Sequence, residues 1–517
     1  MEEVYDVIIA GCGPTGATFA NYFGKHNLKV LIFDREEDII EYPRAVHIDE
    51  DVIRIFQELG LYEEMKKDAI KPFENYSLVS KKDKVLFQFQ PDSSVSEDIP
   101  DCNWILQPEI EKHLRNGFSK YPNVTFLKET TWTDLNQTDD EVSLTLFNTR
   151  SEETKVKAKF LIACDGGKSP IRKKMNISVH DFGFKKEWFV IDTNYYGEQL
   201  FSEDHKQFCD PNQPITYVNG VKNHFRWEFM VSEKDNALSD EMLAEKMIPR
   251  LESLFPIKDF EIIRKKKYVF YTLLANEWRS KNVFLAGDAA HQMPPFLGQG
   301  MCSGIKDAKN LSWKIVNACH TQNETTHQLL DSYYTERAPQ VKKIIKLAAI
   351  LGGFIQYSNP LLSPFRNGLL KVFNILPSKP IDALINKHLY GIDIDNFSRF
   401  KHPLVGKRIP QPIVNTKEGQ VYFDTMCNFN WVVLLRSRDK IIHNDSSGQL
   451  KFISLVKDQP KSSNEIQSDF FDQWMSAQKV DFVIIRPDKF IFNIGKTKEF
   501  EDVLKKAHFY IKKIHSN

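Results

Sequence analysis

The chain has 517 residues, enough for about two to four domains and an ample core. Hydrophobic residues make up 42% and charged residues 27%, the balance of a water-soluble globular protein. Lys+Arg and Asp+Glu are both 69, so no global field points to nucleic acid or an anionic surface, and nucleic-acid binding gains no support.

The first stretch, Tyr5 to Arg35, sets the frame. Val7-Ile8-Ile9-Ala10 reads as a buried parallel strand. Gly11, Gly13 and Gly16 follow in G-x-G-x-x-G spacing, residues 15–26 have helical character, and Lys29 to Phe33 form a second strand ending at Asp34. The spacing has a physical reason. Gly11 permits the strand-to-helix turn, Gly13 lets a pyrophosphate approach bare backbone, and Gly16 lets helix and strand pack closely. The helix N–H groups and dipole then face the phosphate, while Asp34 is placed to accept from a ribose, which suits FAD or NAD and disfavours a 2′-phosphate. Met1-Glu2-Glu3 runs straight into the strand with no signal-peptide pattern, and a cytoplasmic location is expected.

Next, Tyr42-Pro43-Arg44-Ala45 marks a loop before a helix that Gly60 stops. Arg44 reads equally as a phosphate or flavin contact and as a surface arginine. Residues 77–92 alternate as strands, and Gln107-Pro108 leads into a helix near Glu109. Val124–Leu127 and Val142–Leu146 are expected to form a hairpin turning at Thr138–Glu141. Ala158 to Ala163 is a buried strand that runs on to Cys164 and Asp165-Gly166, before a Ser-Pro helix start. An acid and glycines at a strand's carboxyl end lie where open α/β sheets bind ligands.

Residues 180–275 alternate polar and apolar with many aromatics, as an antiparallel sheet with one face buried and one free to cover something. Val283-Phe284-Leu285-Ala286 is another apolar strand ending in Gly287-Asp288, followed by a proline-braced loop. Gly298 and Gly300 then open a helix expected over Met301 to Val316. Ile344 to Ile355 is apolar but too short to span a bilayer, and Lys346 interrupts it, so a buried or interfacial helix is expected. The seven cysteines are scattered, with no C-x-x-C and no His/Cys ligand spacing; this argues for a reducing compartment and against a metal site or disulfide framework.

The three strand-end sites together resemble the fingerprints of the single-component FAD-dependent aromatic hydroxylases, with the para-hydroxybenzoate hydroxylase fold. Tyr42-Pro43-Arg44-Ala45, Gln107-Pro108-Glu109, Gly298-Gln299-Gly300 and Ile485-Arg486-Pro487-Asp488 extend the likeness over most of the chain. The resemblance implies an α/β fold: a Rossmann-type FAD-binding domain (1–75, 100–180 and 275–350), an antiparallel-sheet substrate domain (76–99 and 181–274), a helical linker (351–409), and a thioredoxin-like C-terminal domain (410–517). With Cys427 alone there, that last domain cannot be a dithiol oxidoreductase, and a packing or oligomerisation role is expected of it; a homodimer is compatible.

The resemblance also assigns roles. Gly11, Gly13, Gly16, Asp34, Arg44 and Gln107 would hold the adenosine and pyrophosphate side of FAD. Asp288 would take the ribityl-phosphate part, with Gly298, Gly300 and Met301 under the flavin ring. Asp165 and Arg172 would serve both the flavin and the visiting nicotinamide of NADH or NADPH. Pro14, Thr15, Arg35, Gly166, Gly287 and Pro295 complete the cofactor set, and no metal is implied. The implied reaction is hydroxylation of a small aromatic substrate, a phenol of the 3-(3-hydroxyphenyl)propionate type, by O2 through a flavin C4a-hydroperoxide, without a protein nucleophile. His47, Tyr217, His224, Arg226 and His291 are candidates to activate the phenol, although for each a core or sheet-surface role outranks substrate contact. The alternatives are a polyketide-type aromatic hydroxylase, a halogenase (whose W-x-W-x-I-P element is missing), a dehydrogenase-type flavoprotein and a flavin-binding redox module without turnover.

Overall fold

A computed structural model describes residues 3–73, 75–89, 102–149, 152–197, 205–254, 260–320, 324–357, 359–375, 391–392, 394, 402–436 and 450–504. The expected strand residues 90–92 and much of the expected linker 351–409 lie outside the described residues.

Two eight-stranded sheets hold most of the strands, and residues of both line one cavity. The first is built on the strand Glu3–Ala10, flanked in parallel by Val30–Phe33 and Glu153–Ala163. Val283–Leu285 lies parallel beside Glu153–Ala163, and Val124–Leu127 lies parallel beside Val30–Phe33. Residues such as Val7, Ile8, Ile9 and Leu161 are fully buried, because helices cover the sheet and both strand faces must be apolar. The carboxyl ends of three of these strands, at Ala10, Ala163 and Leu285, therefore come out side by side.

The expected hairpin is corrected here. Val142–Asn148 pairs with Thr130–Gln137, and Val124–Leu127 instead joins the parallel sheet. The turn at Thr138–Glu141 lies where expected, with Thr138 N–H donating to the Glu141 carbonyl at 2.9 Å. The true partner reads TTWTDLNQ, whose half-exposed surface carries a polar pattern that conceals a strand.

The second sheet runs in the order His291–Gln292, Phe260–Ala275, Val179–Tyr195, His224–Met230, Ile215–Asn219, His205–Phe208, Tyr76–Val79, Val85–Phe89. Its strands alternate. Phe189, Ile191, Ile215, Tyr217, Phe225, Trp227 and Phe229 pack in one core with Leu243, Met247 and Leu251 of the helix Asp240–Leu254, which carries Pro249 and interrupts the stretch expected to be sheet throughout. The opposite face, at the alternate positions, is left to look at the first sheet.

The helix expected over Met301 to Val316 is longer, Gln299–His320, and packs against Pro14–Lys25 and the long helix Glu324–Ile355, which contains the expected apolar segment. The C-terminal unit is a five-stranded sheet with Trp431–Leu435 at its centre. Leu450–Leu455 lies parallel on one side of it, Phe482–Ile485 antiparallel on the other, and Ile491–Gly495 antiparallel beyond that. Buried ion pairs fix this unit to the rest. Arg54 donates to both Asp424 oxygens at 2.8 Å, and Arg486 donates to both oxygens of Glu336 at 2.6 and 2.8 Å.

Candidate active site

The glycine turn is tightly specified. Gly11 has φ +100°, and a Cβ there would run into the Cys164 carbonyl; a Cβ on Gly16 would strike the Gly11 carbonyl. Gly13 differs: a Cβ there would meet nothing within 4 Å. Gly13 is the N-cap of the helix Pro14–Lys25 and has no side chain to close the helix end. The first helical N–H groups are thus left facing open space.

That space is a cavity of about 1310 Å³, larger than the roughly 300–1,000 Å³ of an ordinary small-ligand pocket. Gly11, Gly13, Pro14, Thr15, Gly16, Asp34, Arg35, Arg44, Gln107, Asp165, Gly166, Arg172, Asp288, Pro295, Gly298, Gly300 and Met301 all line it. Of the cofactor residues expected from sequence, Gly287 alone stands back. Its N–H donates to Asp307 Oδ2 at 3.0 Å, and its φ of +58° sets the turn that presents Asp288.

Several of these residues also brace the walls. Asp34 Oδ2 accepts from Cys12 N–H at 2.6 Å, and Gln107 Oε1 accepts from the N–H groups of Arg44 and Ala45 at 2.8 and 2.5 Å. Arg172 donates to the Ala289 carbonyl at 2.7 Å and the Gly167 carbonyl at 3.0 Å, tying the second strand tip to the third. Asp165 Oδ2 accepts from Ile171 N–H at 3.1 Å, while its buried Oδ1 has no partner among the described residues. Burial pushes the carboxyls of both Asp165 and Asp288 above the usual range, so each favours a hydrogen-bonding partner.

The far wall is the open face of the second sheet. His205, Gln207, Thr216, Val218, Arg226 and Glu228 line the cavity at every second position of their strands, joined by Tyr76 and Val190, while the strand Phe260–Ala275 contributes the consecutive run Tyr268 to Tyr271. Of the five candidates to activate a phenol, the structure brings two to the cavity, His47 and Arg226. Tyr217 points into the core behind the sheet, against Trp227. His224 lies 3.0 Å from Asp192, and His291 lies fully buried 2.7 Å from Asp307; neither lines the cavity.

His47 sits beside Gly298, where a Cβ would come within 2.6 Å of its Nδ1. His205 is a cavity residue that no sequence motif marks. Its ring stacks between Tyr76 and Trp104 at 4.7 and 4.8 Å, and burial pulls its pKa down to about 3. Parity is the signal that could find it. Once Arg226 is set facing inward, strand alternation and register carry Glu228, Thr216, Gln207 and His205 to the same face.

Among the described residues no His/Cys/Asp/Glu group could hold a metal ion, all seven cysteines are free, and no helix is long and apolar enough to cross a membrane.

Residues 4–348 match the model of the FAD binding domain family, and residues 406–508 match the HcaD C-terminal domain. The chain is similar to a probable NADH-specific resorcinol 4-hydroxylase of Rhodococcus jostii (strain RHA1), 29% identical over 506 residues and covering 96% of this chain and 92% of the relative. It is 30% identical over 520 residues to the 3-(3-hydroxy-phenyl)propionate/3-hydroxycinnamic acid hydroxylase of Escherichia coli (strain K12), covering 94% of this chain and 91% of that one. Among solved structures, the anhydrotetracycline hydroxylase OxyS from Streptomyces rimosus superposes with a TM-score of 0.79 at 19% identity, over 98% of this chain and 99% of that one. The flavin-dependent monooxygenase PieE, solved with FAD and substrate, gives 0.79 at 16% identity over the same shares.

Proposed function

The chain belongs to the FAD-binding-domain family of single-component aromatic hydroxylases, and from that premise we propose that it hydroxylates a one-ring phenol carrying a meta substituent, the feature shared by resorcinol and 3-(3-hydroxyphenyl)propionate. The balanced reaction takes the phenol, O2, NAD(P)H and a proton to the ring-hydroxylated product, NAD(P)+ and water. The observation that supports this reading is that Gly13, Asp165 and Asp288 line one cavity, which continues to the alternating face of the second sheet.

The residues present fit FAD. The bare cradle at Gly13 suits a pyrophosphate, and Asp165 Oδ1 and Asp288 wait on hydroxyl or ring-edge donors. Arg35 and Arg44 would offset phosphate charge, and the N-terminus of Gln299–His320, with Gly298, Gly300 and Met301, would face the flavin ring. When bound, FAD accepts hydride from NAD(P)H and activates O2 for transfer of one oxygen atom.

The chain supplies placement, exclusion of water and charge at the ring edge. Asp49 anchors the start of the helix Gln299–His320, accepting from Gln299 at 3.0 Å and Lys306 at 2.6 Å. His47, whose protonation burial disfavours, can accept a hydrogen bond from a phenol hydroxyl. Residues 76–99 and 181–274 would form the substrate domain, and the strand order of the C-terminal unit supports a thioredoxin-like reading with a packing role. We place the protein in the cytoplasm on its unpaired cysteines.

The test is direct. Purified protein should be yellow, release FAD on denaturation, and oxidise NADH or NADPH faster with a meta-phenol, yielding a product one oxygen heavier. Bound FAD with no hydroxylated product from any phenol would leave only a flavin-binding role and overturn this reading.

A further inference from the structure

Resting on the hydroxylase reading, the charge of the substrate can be read from the cavity wall. The end of the cavity under the second sheet holds one guanidinium and one carboxyl on its lining, Arg226 and Glu228, and burial pushes the Glu228 carboxyl above its ordinary range although Arg226 pulls it down. Arg226 is already fully engaged. Its Nε donates to Asp192 Oδ1 at 2.8 Å, its Nη1 to the Arg44 carbonyl at 3.2 Å, and its Nη2 to the Pro43 carbonyl, while Glu228 lies 3.7 Å from Nη1. Behind it, off the cavity lining, Arg264 lies 3.7 Å from Asp192 Oδ2 and over the Tyr268 ring, 4.7 Å from its centroid.

What remains free there is polar but uncharged. His47 Nδ1, His205 Nδ1 and Tyr268 Oη are buried and have no hydrogen-bond partner among the described residues. Burial keeps both imidazoles neutral, His205 with a pKa of about 3. Gln207 and Thr216 satisfy each other at 2.7 Å. The lining cations with unengaged groups, Arg115, Lys168 and Lys173, belong to the nucleotide end, with Lys168 and Lys173 after the second strand tip and Arg115 donating to the Cys12 carbonyl at the first, while Arg35 there pairs with Glu36 at 2.9 Å. Arg44 turns toward Glu111, 3.8 Å away, also on that side.

We propose that this site selects an uncharged phenol, of the resorcinol type, and rejects a phenol that carries a carboxylate. A ring hydroxyl has two neutral imidazole nitrogens and a phenol to bond with. A substrate carboxylate would be buried beside another carboxyl with no unengaged cation on the lining at that end to meet it, and a buried charge left unpaired costs roughly 100-fold or more in affinity.

The experiment uses the purified holoprotein and three probes: resorcinol, 3-(3-hydroxyphenyl)propionate, and the methyl ester of that acid as its uncharged counterpart. Binding is read from the perturbation of flavin absorbance, turnover from NADH oxidation with product analysis. The ester should bind roughly 100-fold tighter than the acid, with resorcinol also bound and turned over. An acid that binds within threefold of its ester in the unsubstituted protein overturns the inference while leaving the hydroxylase reading intact. Ester-selective binding without hydroxylated product would do the reverse. If no probe perturbs the flavin, both fall.

Discussion

Replacing Gly13 by alanine, beside the same change at Gly11, separates a glycine the ligand needs from one the fold needs. Gly13 has φ −73° and ψ −175°, open to any residue, and its added Cβ would touch no protein atom. The apoprotein should scarcely notice. Alanine is a poorer N-cap than glycine by a few tenths to about 1 kcal/mol, and it recovers about 0.4–1 kcal/mol by restricting the unfolded chain. At Gly11 the φ of +100° costs an alanine about 1–3 kcal/mol. The collision with the Cys164 carbonyl adds to that, because two paired strands must separate to relieve it.

The effect on FAD runs the other way. A methyl at position 13 stands where a phosphate must approach the helix N–H groups. Losing one charge-assisted hydrogen bond, about 1.5–3 kcal/mol, weakens the dissociation constant by roughly 10- to 150-fold. At FAD one hundred times the original constant, the ligand's contribution to stability would fall from about 2.7 to about 0.4 kcal/mol for a hundredfold loss. Urea unfolding of the apoproteins and flavin-fluorescence titration of each variant read the two effects separately. A Gly13→Ala protein that binds FAD like the original, or whose apo form is as destabilised as Gly11→Ala, would refute the assignment of the cavity.

Three further outcomes are expected. Asp288→Ala should raise the FAD dissociation constant by roughly 10- to 150-fold through loss of one charged hydrogen bond, measured as flavin per protein after dialysis. Arg54→Ala should destabilise by about 3–5 kcal/mol by stranding the buried Asp424, whereas Arg54→Leu with Asp424→Leu should recover most of that in urea midpoints. Acid should loosen the junction with the C-terminal unit: although burial alone would raise the Glu58 pKa, Lys309 and Lys489 hold it at about 2, against an ordinary 4.5. Because the folded value is the lower one, the stability from Glu58, about 3 kcal/mol, is present above pH 4.5 and lost as pH falls toward 2; a urea midpoint that stays flat from pH 5 to 3 would count against it.

What sequence could and could not disclose follows from the range of the forces involved. The parallel strands and their glycine tips are local patterns, each complete within a short span, so local pattern alone sets Gly11, Asp165 and Asp288 at strand ends. The hairpin failed because Thr130–Gln137 is polar except for Trp132 and Leu135, whereas Val124–Leu127 is mostly apolar; apolarity favoured the wrong partner. The helix Asp240–Leu254 escaped because it carries Pro249 and sits between strands, although Leu243, Met247 and Leu251 keep a four-residue spacing. His291 and His224 looked available as lone histidines, yet Asp307 and Asp192, 16 and 32 residues away, had already claimed them. Partners that distant leave no trace in spacing.

The same long-range contacts explain why three separate strand tips act as one site. A Cβ on Gly304 of the long helix would strike Thr15 of the first tip and lie 3.1 Å from Gly287 of the third, so the two tips and the helix share a space sized for hydrogen atoms alone. Arg172 bridges the second tip to the third through carbonyls that no other cation reaches among the described residues. Asp307 accepts at once from Gly287 N–H and Arg337, with His291 beside it; burial pushes its pKa up, and His291 and Arg337 more than reverse that. Asp288 is therefore aimed by a buried network in which it takes no part. Polar groups buried and mutually satisfied in this way hold one geometry, because each alternative strands a charge without a partner. A site assembled from rigid tips can stay bare at Gly13 and at Asp165 Oδ1, and bare, preorganised donors and acceptors are what a nucleotide cofactor requires.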